Sequence, residues 1–178
     1  AASDVYKRQA YRAGNMDFDA YCIFLLNPLI GKTTNEIESL VREFINQYEE
    51  LLIDSLTYDL LEKHKSDKKI IASGSLNFIV EGFSRVFSID TFFGTPLEIE
   101  NNKITGNLDG VATFAEGKLI TMQEWSKKNN FNLEDATFYT DSINDLPLVK
   151  VCKNSIIISP DEELEKYAKE NSLEIIYR

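Results

Sequence analysis

The sequence predicts an α/β fold, a Rossmann-like and mainly parallel sheet with helices on both faces, preceded by a helical cap segment at the N-terminal end. From about residue 67 onward, short apolar runs alternate with helical periodicity, which is typical of parallel strands buried on both faces. Before that point the periodicity is helical only. With 178 residues and a hydrophobic share of 43%, the chain can form one core domain with a small accessory module.

The first half reads as three helical segments. An apolar stripe over residues 18–29 stops at Gly31, and Thr33 with Glu36 three residues later has the form of a capping box. One helix face then carries Ile37, Leu40, Val41, Phe44 and Ile45. Residues 53–64 repeat this pattern, so we expect a further helix there.

The second half reads as strands alternating with helices. A buried strand over residues 69–72 is expected to open into a loop at Ser73-Gly74-Ser75. Further strands are predicted at residues 91–94, 136–139, 155–159 and 174–177, with helices at 78–87, 116–128 and after Pro160. Residues 97–106 read as a hairpin that turns at Asn101-Asn102.

Composition excludes several function classes. A net charge of −10 and a pI of about 4.7 argue against a general nucleic-acid binder, which needs a basic face. No apolar run approaches the roughly 20 residues of a membrane span, and no secretory signal pattern is present. We therefore expect a cytoplasmic protein with no nucleic-acid or membrane partner. Cys22 and Cys152 should be reduced and buried, and a single histidine, His64, argues against structural zinc.

Polar clusters fall where the predicted strands end. Ser73-Gly74-Ser75 follows one strand, Asp141 to Asp145 follows another, and Lys118 lies in the first turn of the helix between them. In a parallel sheet, ligands bind beyond the carboxyl ends of the strands. A hydroxyl with backbone N–H groups can hold phosphoryl oxygens, an ammonium can offset their charge, and carboxylates can hold Mg²⁺.

These motifs resemble the haloacid dehalogenase superfamily, in its phosphoserine-phosphatase-like branch (subfamily IB). The acidic motif of that branch is matched by Asp141-Ser142-Ile143-Asn144-Asp145-Leu146-Pro147-Leu148. The small-residue motif at Ser73 and the lysine motif at Lys118 also match, and so does the segment from Ala20 to Gly31. The resemblance runs from about Tyr11 to the C-terminus and implies a magnesium-dependent phosphatase that acts on a small phosphorylated metabolite, with phosphoserine as the natural guess.

The resemblance assigns roles to individual residues. Ser73, Lys118, Asp141 and Asp145 would be catalytic, and Asp141 and Asp145 would hold the Mg²⁺ cofactor. The substrate phosphate would be bound by Ser73, Gly74, Ser75, Lys118 and Asn144. The implied layout is a non-native or disordered tail at residues 1–10, a helical cap at 11–66 and a hydrolase core at 67–178.

The attacking group of the family has no counterpart in the sequence. The family reaction uses the first aspartate of a D-x-D-G-T motif to form a phosphoaspartate, and the sequence contains no such motif. Asp17 and Asp19 have the D-x-D spacing, but they follow no apolar strand and precede Ala20-Tyr21 rather than Gly-Thr. We therefore expect an N-terminally truncated and inactive chain whose full-length parent is the phosphatase.

Other interpretations stay open. If the gene truly lacks the motif, the chain is a non-catalytic phosphate- or metal-binding remnant. A signalling receiver domain also gathers acidic residues, a hydroxyl, a lysine and Mg²⁺, but it would lack the helices before Lys69 and the hairpin at residues 97–105. Ser73, Lys118, Asp141 and Asp145 are each, taken singly, common as capping, turn or surface residues. The sequence does not indicate the oligomeric state.

Overall fold

A computed structural model describes residues 17–178 as alternating helices and strands. The helices are α1 (Phe18–Leu26), α2 (Thr34–Leu52), α3 (Ser55–Lys63), α4 (Asn77–Val86), α5 (Glu116–Lys128), α6 (Leu146–Val149) and α7 (Glu162–Glu170). The strands are β1 (Ile70–Leu76), β2 (Thr91–Thr95), β3 (Leu97–Glu100), β4 (Lys103–Leu108), β5 (Thr137–Thr140), β6 (Asn154–Ile158) and β7 (Glu174–Ile176). Short 3₁₀ turns occur at Asn27–Leu29, Leu133–Asp135 and Ile143–Asp145.

The α/β class is confirmed, and the parallel strands fall into two separate sheets. β1 pairs with β2, and β5, β6 and β7 pair in that order, in both cases parallel. β3 and β4 form the predicted antiparallel hairpin. Among residues 17–178, no strand pairing joins β1 to β5, so each of these two strands has one edge that no described strand pairs with.

The amino-terminal end of β1 is nevertheless linked to β5. His64, at the end of α3, contacts the Tyr139 hydroxyl of β5 through its Nε2 at 2.7 Å. The Lys69 ammonium, one residue before β1, donates to the His64 carbonyl at 2.9 Å. The two strands therefore lie on either side of a space that no described strand fills.

The capping box at the start of α2 is confirmed. Thr33 Oγ1 accepts a hydrogen bond from the Glu36 amide at 3.3 Å, and Glu36 Oε2 accepts one from the Thr33 amide at 2.8 Å. The helix then buries Ile37, Val41 and Ile45. This face packs against α4, since a Cβ placed on Gly82 would approach Val41 to 2.4 Å.

Most predicted boundaries lie within one to three residues of the observed ones, and the end of β1 differs most. β1 was expected to end at Ala72, but its pairing with β2 shifts register after Ala72 and resumes at Leu76 opposite Thr95. The Thr95 hydroxyl donates to the Gly74 carbonyl at 2.8 Å and holds the intervening residues against β2. Ser73, Gly74 and Ser75 therefore form an irregular stretch within the strand rather than a loop after it.

The apolar core consists of three clusters. The first joins α1 and α2 to the end of β1 and to β4, and the other two lie under α5, α6 and α7. Cys22 and Cys152 are free and buried, and burial raises the pKa of each thiol to about 11. Among residues 17–178, no helix is both long and apolar enough to cross a membrane. The division into residues 11–66 and 67–178 stays a prediction, and the predicted tail at 1–10 lies outside the described residues.

Candidate active site

A cleft of about 370 Å³ opens at the carboxyl ends of β1 and β5. It brings together all seven residues that the sequence singled out: Ser73, Gly74, Ser75, Lys118, Asp141, Asn144 and Asp145. The first three come from the irregular end of β1, Lys118 from the first turn of α5, and the last three from the turn after β5. Their proximity is a property of the fold, and their chemical roles stay predictions.

Lys118 and Asp145 form a buried ion pair in the cleft. The Lys118 ammonium lies 2.5 Å from Asp145 Oδ1, and the two side chains are only 8% and 10% exposed. Asp145 Oδ2 accepts a hydrogen bond from the Thr140 hydroxyl at 2.7 Å. Both carboxylate oxygens of Asp145 are therefore occupied, and the lysine charge is fixed at the floor of the cleft.

Ser73 is oriented to donate a hydrogen bond. Its Oγ accepts one from the Ser75 amide at 3.2 Å, which leaves the hydroxyl proton available for a further acceptor. Gly74, next to it, packs under aromatic rings, because a Cβ there would lie 3.2 Å from both Phe18 and Phe114. This end of the cleft can accept an oxyanion.

Asp161, at the start of α7, ties the acidic turn to the next helix. Its Oδ1 caps α7 by accepting from the Leu164 amide at 2.8 Å, and its Oδ2 accepts from the Ile143 amide at 2.7 Å. The Asp161 amide in turn donates to the Asp141 carbonyl at 2.9 Å. Sequence reasoning treated this residue as an ordinary helix start, because its second partner lies 18 positions away and leaves no local signal.

Apart from Ser142, the cleft residues that sequence reasoning did not assign are apolar or aromatic. Phe18, Tyr21, Cys22 and Leu25 of α1 line the cleft together with Leu76, Ile79 and Phe114. Periodicity placed the α1 residues in a helix but could not show that one of its faces covers the carboxyl ends of two strands. Only the packing of α1 over the core reveals them.

The residues present fit Mg²⁺ at one position. Asp141 is exposed at the cleft, and no hydrogen bond from the described residues engages its carboxylate. Within residues 17–178 there is no group of three or more His, Cys, Asp or Glu side chains that would hold a metal by themselves. Mg²⁺ does not require such a group, because it keeps several waters and takes oxygens from substrate phosphates. Metal binding by Asp145 also stays a prediction; its two oxygens already accept from Lys118 and Thr140, and each keeps a second lone pair.

Several curated relatives are named as phosphatases. The chain is 31% identical over 172 residues to a histidinol-phosphatase of Neisseria meningitidis, covering 93% of this chain and 78% of that protein. It is 25% identical over 150 residues to a phosphoserine phosphatase of Mycobacterium tuberculosis, covering 82% of this chain and 48% of that protein. The chain thus spans about half the length of this mycobacterial relative.

Solved structures share the fold. A protein of unknown function from Bordetella pertussis superposes with a TM-score of 0.88 at 22% identity, over 98% of this chain and 81% of that chain. A probable phosphoserine phosphatase from Vibrio cholerae gives 0.68 at 18% identity, over 97% of this chain and 50% of that chain. At these identities the likeness shows the fold alone.

The acidic turn, the lysine at the start of α5 and the serine of β1 thus meet in one cleft of an α/β fold, and several curated relatives of the chain are named as phosphatases. A model of the haloacid dehalogenase-like hydrolases matches residues 2–150, which is most of the sequence. The chain therefore belongs to the haloacid dehalogenase-like hydrolase family.

Proposed function

We propose that the chain forms the phosphate- and metal-binding side of a magnesium-dependent phosphate-monoester hydrolase. The observation that carries this proposal is the cleft that gathers Ser73, Lys118 and Asp141 at the ends of two parallel strands. A hydroxyl donor, a fixed ammonium and a free carboxylate are the groups needed to bind a dianionic phosphate together with a divalent cation.

Each of these residues has a distinct task in the proposed reaction. Ser73 donates its hydroxyl proton to a phosphoryl oxygen, while Lys118, held by Asp145, offsets charge on the transferring group. Asp141 is the carboxylate that would hold Mg²⁺, which when bound supplies further neutralisation of the phosphoryl charge. Asn144 and Asp161 keep the turn that carries Asp141 in place.

The attacking aspartate is proposed to lie outside residues 17–178. Asp17 caps α1 by accepting from the Ala20 amide at 3.1 Å, and neither Asp17 nor Asp19 lines the cleft. The unpaired edges of β1 and β5 support a strand position between them that would deliver a D-x-D-G-T aspartate to the cleft floor. Attack there on phosphorus would give a phosphoaspartate and release the alcohol, and water would then release phosphate.

The substrate is proposed to be a small phosphorylated metabolite. The family resemblance implies phosphoserine, whereas the Neisseria relative is named for histidinol phosphate. Both are monoesters of short amino-alcohols, so the phosphate-binding groups of the cleft serve either one.

The test is to read the coding sequence upstream of the Tyr11 codon and to assay both the 178-residue chain and the longer product. We expect the longer chain to release phosphate from small monoesters only when Mg²⁺ is present, and the 178-residue chain to release none. In the longer chain, Asp141→Asn should lower the rate by about a hundredfold or more. Asp135→Asn, which changes a 65% exposed carboxylate outside the cleft, should not alter it.

The opposite result would favour the non-catalytic alternative. If no upstream strand ends in D-x-D-G-T and neither chain releases phosphate, the protein is a phosphate- or metal-binding remnant of the fold. Release of phosphate by the 178-residue chain itself would instead contradict the placement of the nucleophile.

A further inference from the structure

We propose that the substrate's leaving group carries a flat aromatic or heteroaromatic ring and no carboxylate. This inference rests on the proposed function and narrows its substrate class. It comes from the apolar part of the cleft lining, called the wall here, which adjoins the phosphate-binding residues at Gly74 and is therefore close to any group esterified to the phosphate.

That wall is apolar and partly aromatic. Seven of the residues lining the cleft have apolar or aromatic side chains: Phe18, Tyr21, Cys22, Leu25, Leu76, Ile79 and Phe114. Four of them belong to α1, so this helix covers the cleft with one face. Apart from Tyr21, the charged and hydroxyl-bearing residues of the cleft belong to the end of β1, to α5 and to the turn after β5.

Two rings of the wall touch the phosphate-binding stretch. Phe18 and Phe114 stack with their centroids 3.9 Å apart and their planes within 4° of parallel. Both approach Gly74, where a Cβ would meet each ring at 3.2 Å. Tyr21 extends the aromatic surface, with its ring centroid 6.3 Å from that of Phe18. The leaving group of a phosphate ester bound at Ser73 therefore lies close to these aromatic rings.

Among the described residues, the cleft offers no unpaired cation for a carboxylate on the leaving group. Among the described residues that line it, Lys118 is the single cation, and it is already paired with Asp145. The other charged side chain at the mouth, Asp141, is an anion. An amino-acid carboxylate placed against this wall would lose its hydration and gain no opposite charge, which is strongly unfavourable.

A flat ring, in contrast, suits the wall. Aromatic groups pack against one another in offset-stacked or edge-to-face geometry, and such contacts add to the gain from removing apolar surface from water. The volume of about 370 Å³ lies in the range of small-molecule sites and accommodates a phosphate with one ring on a short linker. Phe18, Tyr21 and Phe114 are thereby assigned as specificity-determining residues.

The test is a comparison of dissociation constants by calorimetry, using the 178-residue chain with Mg²⁺. The ligands are inorganic phosphate, phosphoserine and 2-phenylethyl phosphate, which carries a ring and no carboxylate. We expect the ring ester to bind at least about tenfold more tightly than phosphoserine. Phe18→Leu and Phe114→Leu keep the wall apolar but remove a ring, and each should cut this ratio to about threefold or less.

Phe44→Leu is the matched control, because Phe44 is an aromatic residue of α2 that is 46% exposed and outside the cleft. The ratio of the dissociation constants of two ligands for one variant does not depend on the fraction of folded protein. A partly unfolded variant therefore still gives a valid ratio. Equal or tighter binding of phosphoserine overturns the ring inference and leaves the phosphatase proposal intact. Failure of all three ligands to bind, inorganic phosphate included, overturns both.

Discussion

Lys118 and Asp145 form the most buried of the ion pairs found among residues 17–178. Removing both charges from water is costly, and the cost is recovered only if each charge keeps its partner. Asp145 has two partners, the Lys118 ammonium and the Thr140 hydroxyl. The pair therefore holds a positive charge in the cleft, and substitution of either partner should be costly.

Lys118→Met should lower the free energy of unfolding by about 3 kcal/mol, because it leaves the Asp145 carboxylate buried without a countercharge. Adding Asp145→Leu to that variant should restore most of the loss, apart from about 1 kcal/mol for the Thr140 hydroxyl left unpaired. Urea unfolding followed by circular dichroism measures both. Lys153→Met, at an exposed pair 3.6 Å from Asp135, should cost less than about 1 kcal/mol. Equal instability of the single and double variants would show that the unpaired carboxylate is not the cause.

Among the secondary-structure elements, β2 and the junction of β1 with α4 are packed backbone to backbone. A Cβ on Gly94 of β2 would lie 2.5 Å from the Asn77 Cα and 2.9 Å from the Ser75 carbonyl oxygen. The Gly94 amide also donates to Asn77 Oδ1 at 3.0 Å. This contact sets the position of Ser73, Gly74 and Ser75 at the rim of the cleft.

Gly94→Ala should therefore destabilise the protein by about 1–3 kcal/mol and weaken phosphate binding, because backbone cannot move aside as a side chain can. Gly31→Ala is the control: Gly31 has a φ of +80° but open space around a Cβ, so the change should cost about 1–2 kcal/mol and leave phosphate binding unaltered. Thermal unfolding and phosphate titration of both variants provide the measurement. Unchanged phosphate affinity in Gly94→Ala would show that this contact does not position the cleft.

The sequence predicts a structural feature where the residues that determine it are close together in the chain. The capping box of Thr33 and Glu36, the hairpin turn at Asn101 and Asn102, and the bounds of α5 all depend on residues a few positions apart. The ion pair of Lys118 with Asp145 and the second hydrogen bond of Asp161 join residues 18 or more positions apart. The resemblance placed Lys118 and Asp145 at one site, but their direct pairing depends on how α5 packs against the turn after β5.

Across the whole molecule, the parallel strands differ in how many of their backbone N–H and C=O groups are hydrogen-bonded to neighbouring strands. β6 pairs with β5 on one side and β7 on the other, and Ser155, Ile156, Ile157 and Ile158 are buried. Among the described strands β1 pairs with β2 alone, and none of Ile70, Ile71 and Ala72 is fully buried. The two strands therefore contribute unequally to the cooperative stability of the fold.

Amide hydrogen exchange should reflect this difference, because exchange requires local opening of the backbone. We expect the amides of β6 to exchange slowest and those of β1 and β5 that face the unpaired edges to exchange at least about tenfold faster. Exchange of the 178-residue chain, followed by two-dimensional NMR, measures each amide. Edge amides of β1 that are as slow as those of β6 would mean that the edge is closed in solution.

The edges of β1 and β5 that no described strand pairs with give the chain a practical use beyond its own chemistry. Exposed strand edges accept an added strand from another polypeptide. If the proposed nucleophile strand fills the space between β1 and β5, it can be supplied as a separate peptide, and turnover then depends on the meeting of two molecules. Fused to two proteins of interest, the chain and the peptide would form a split reporter in which phosphate release signals that those proteins have bound one another.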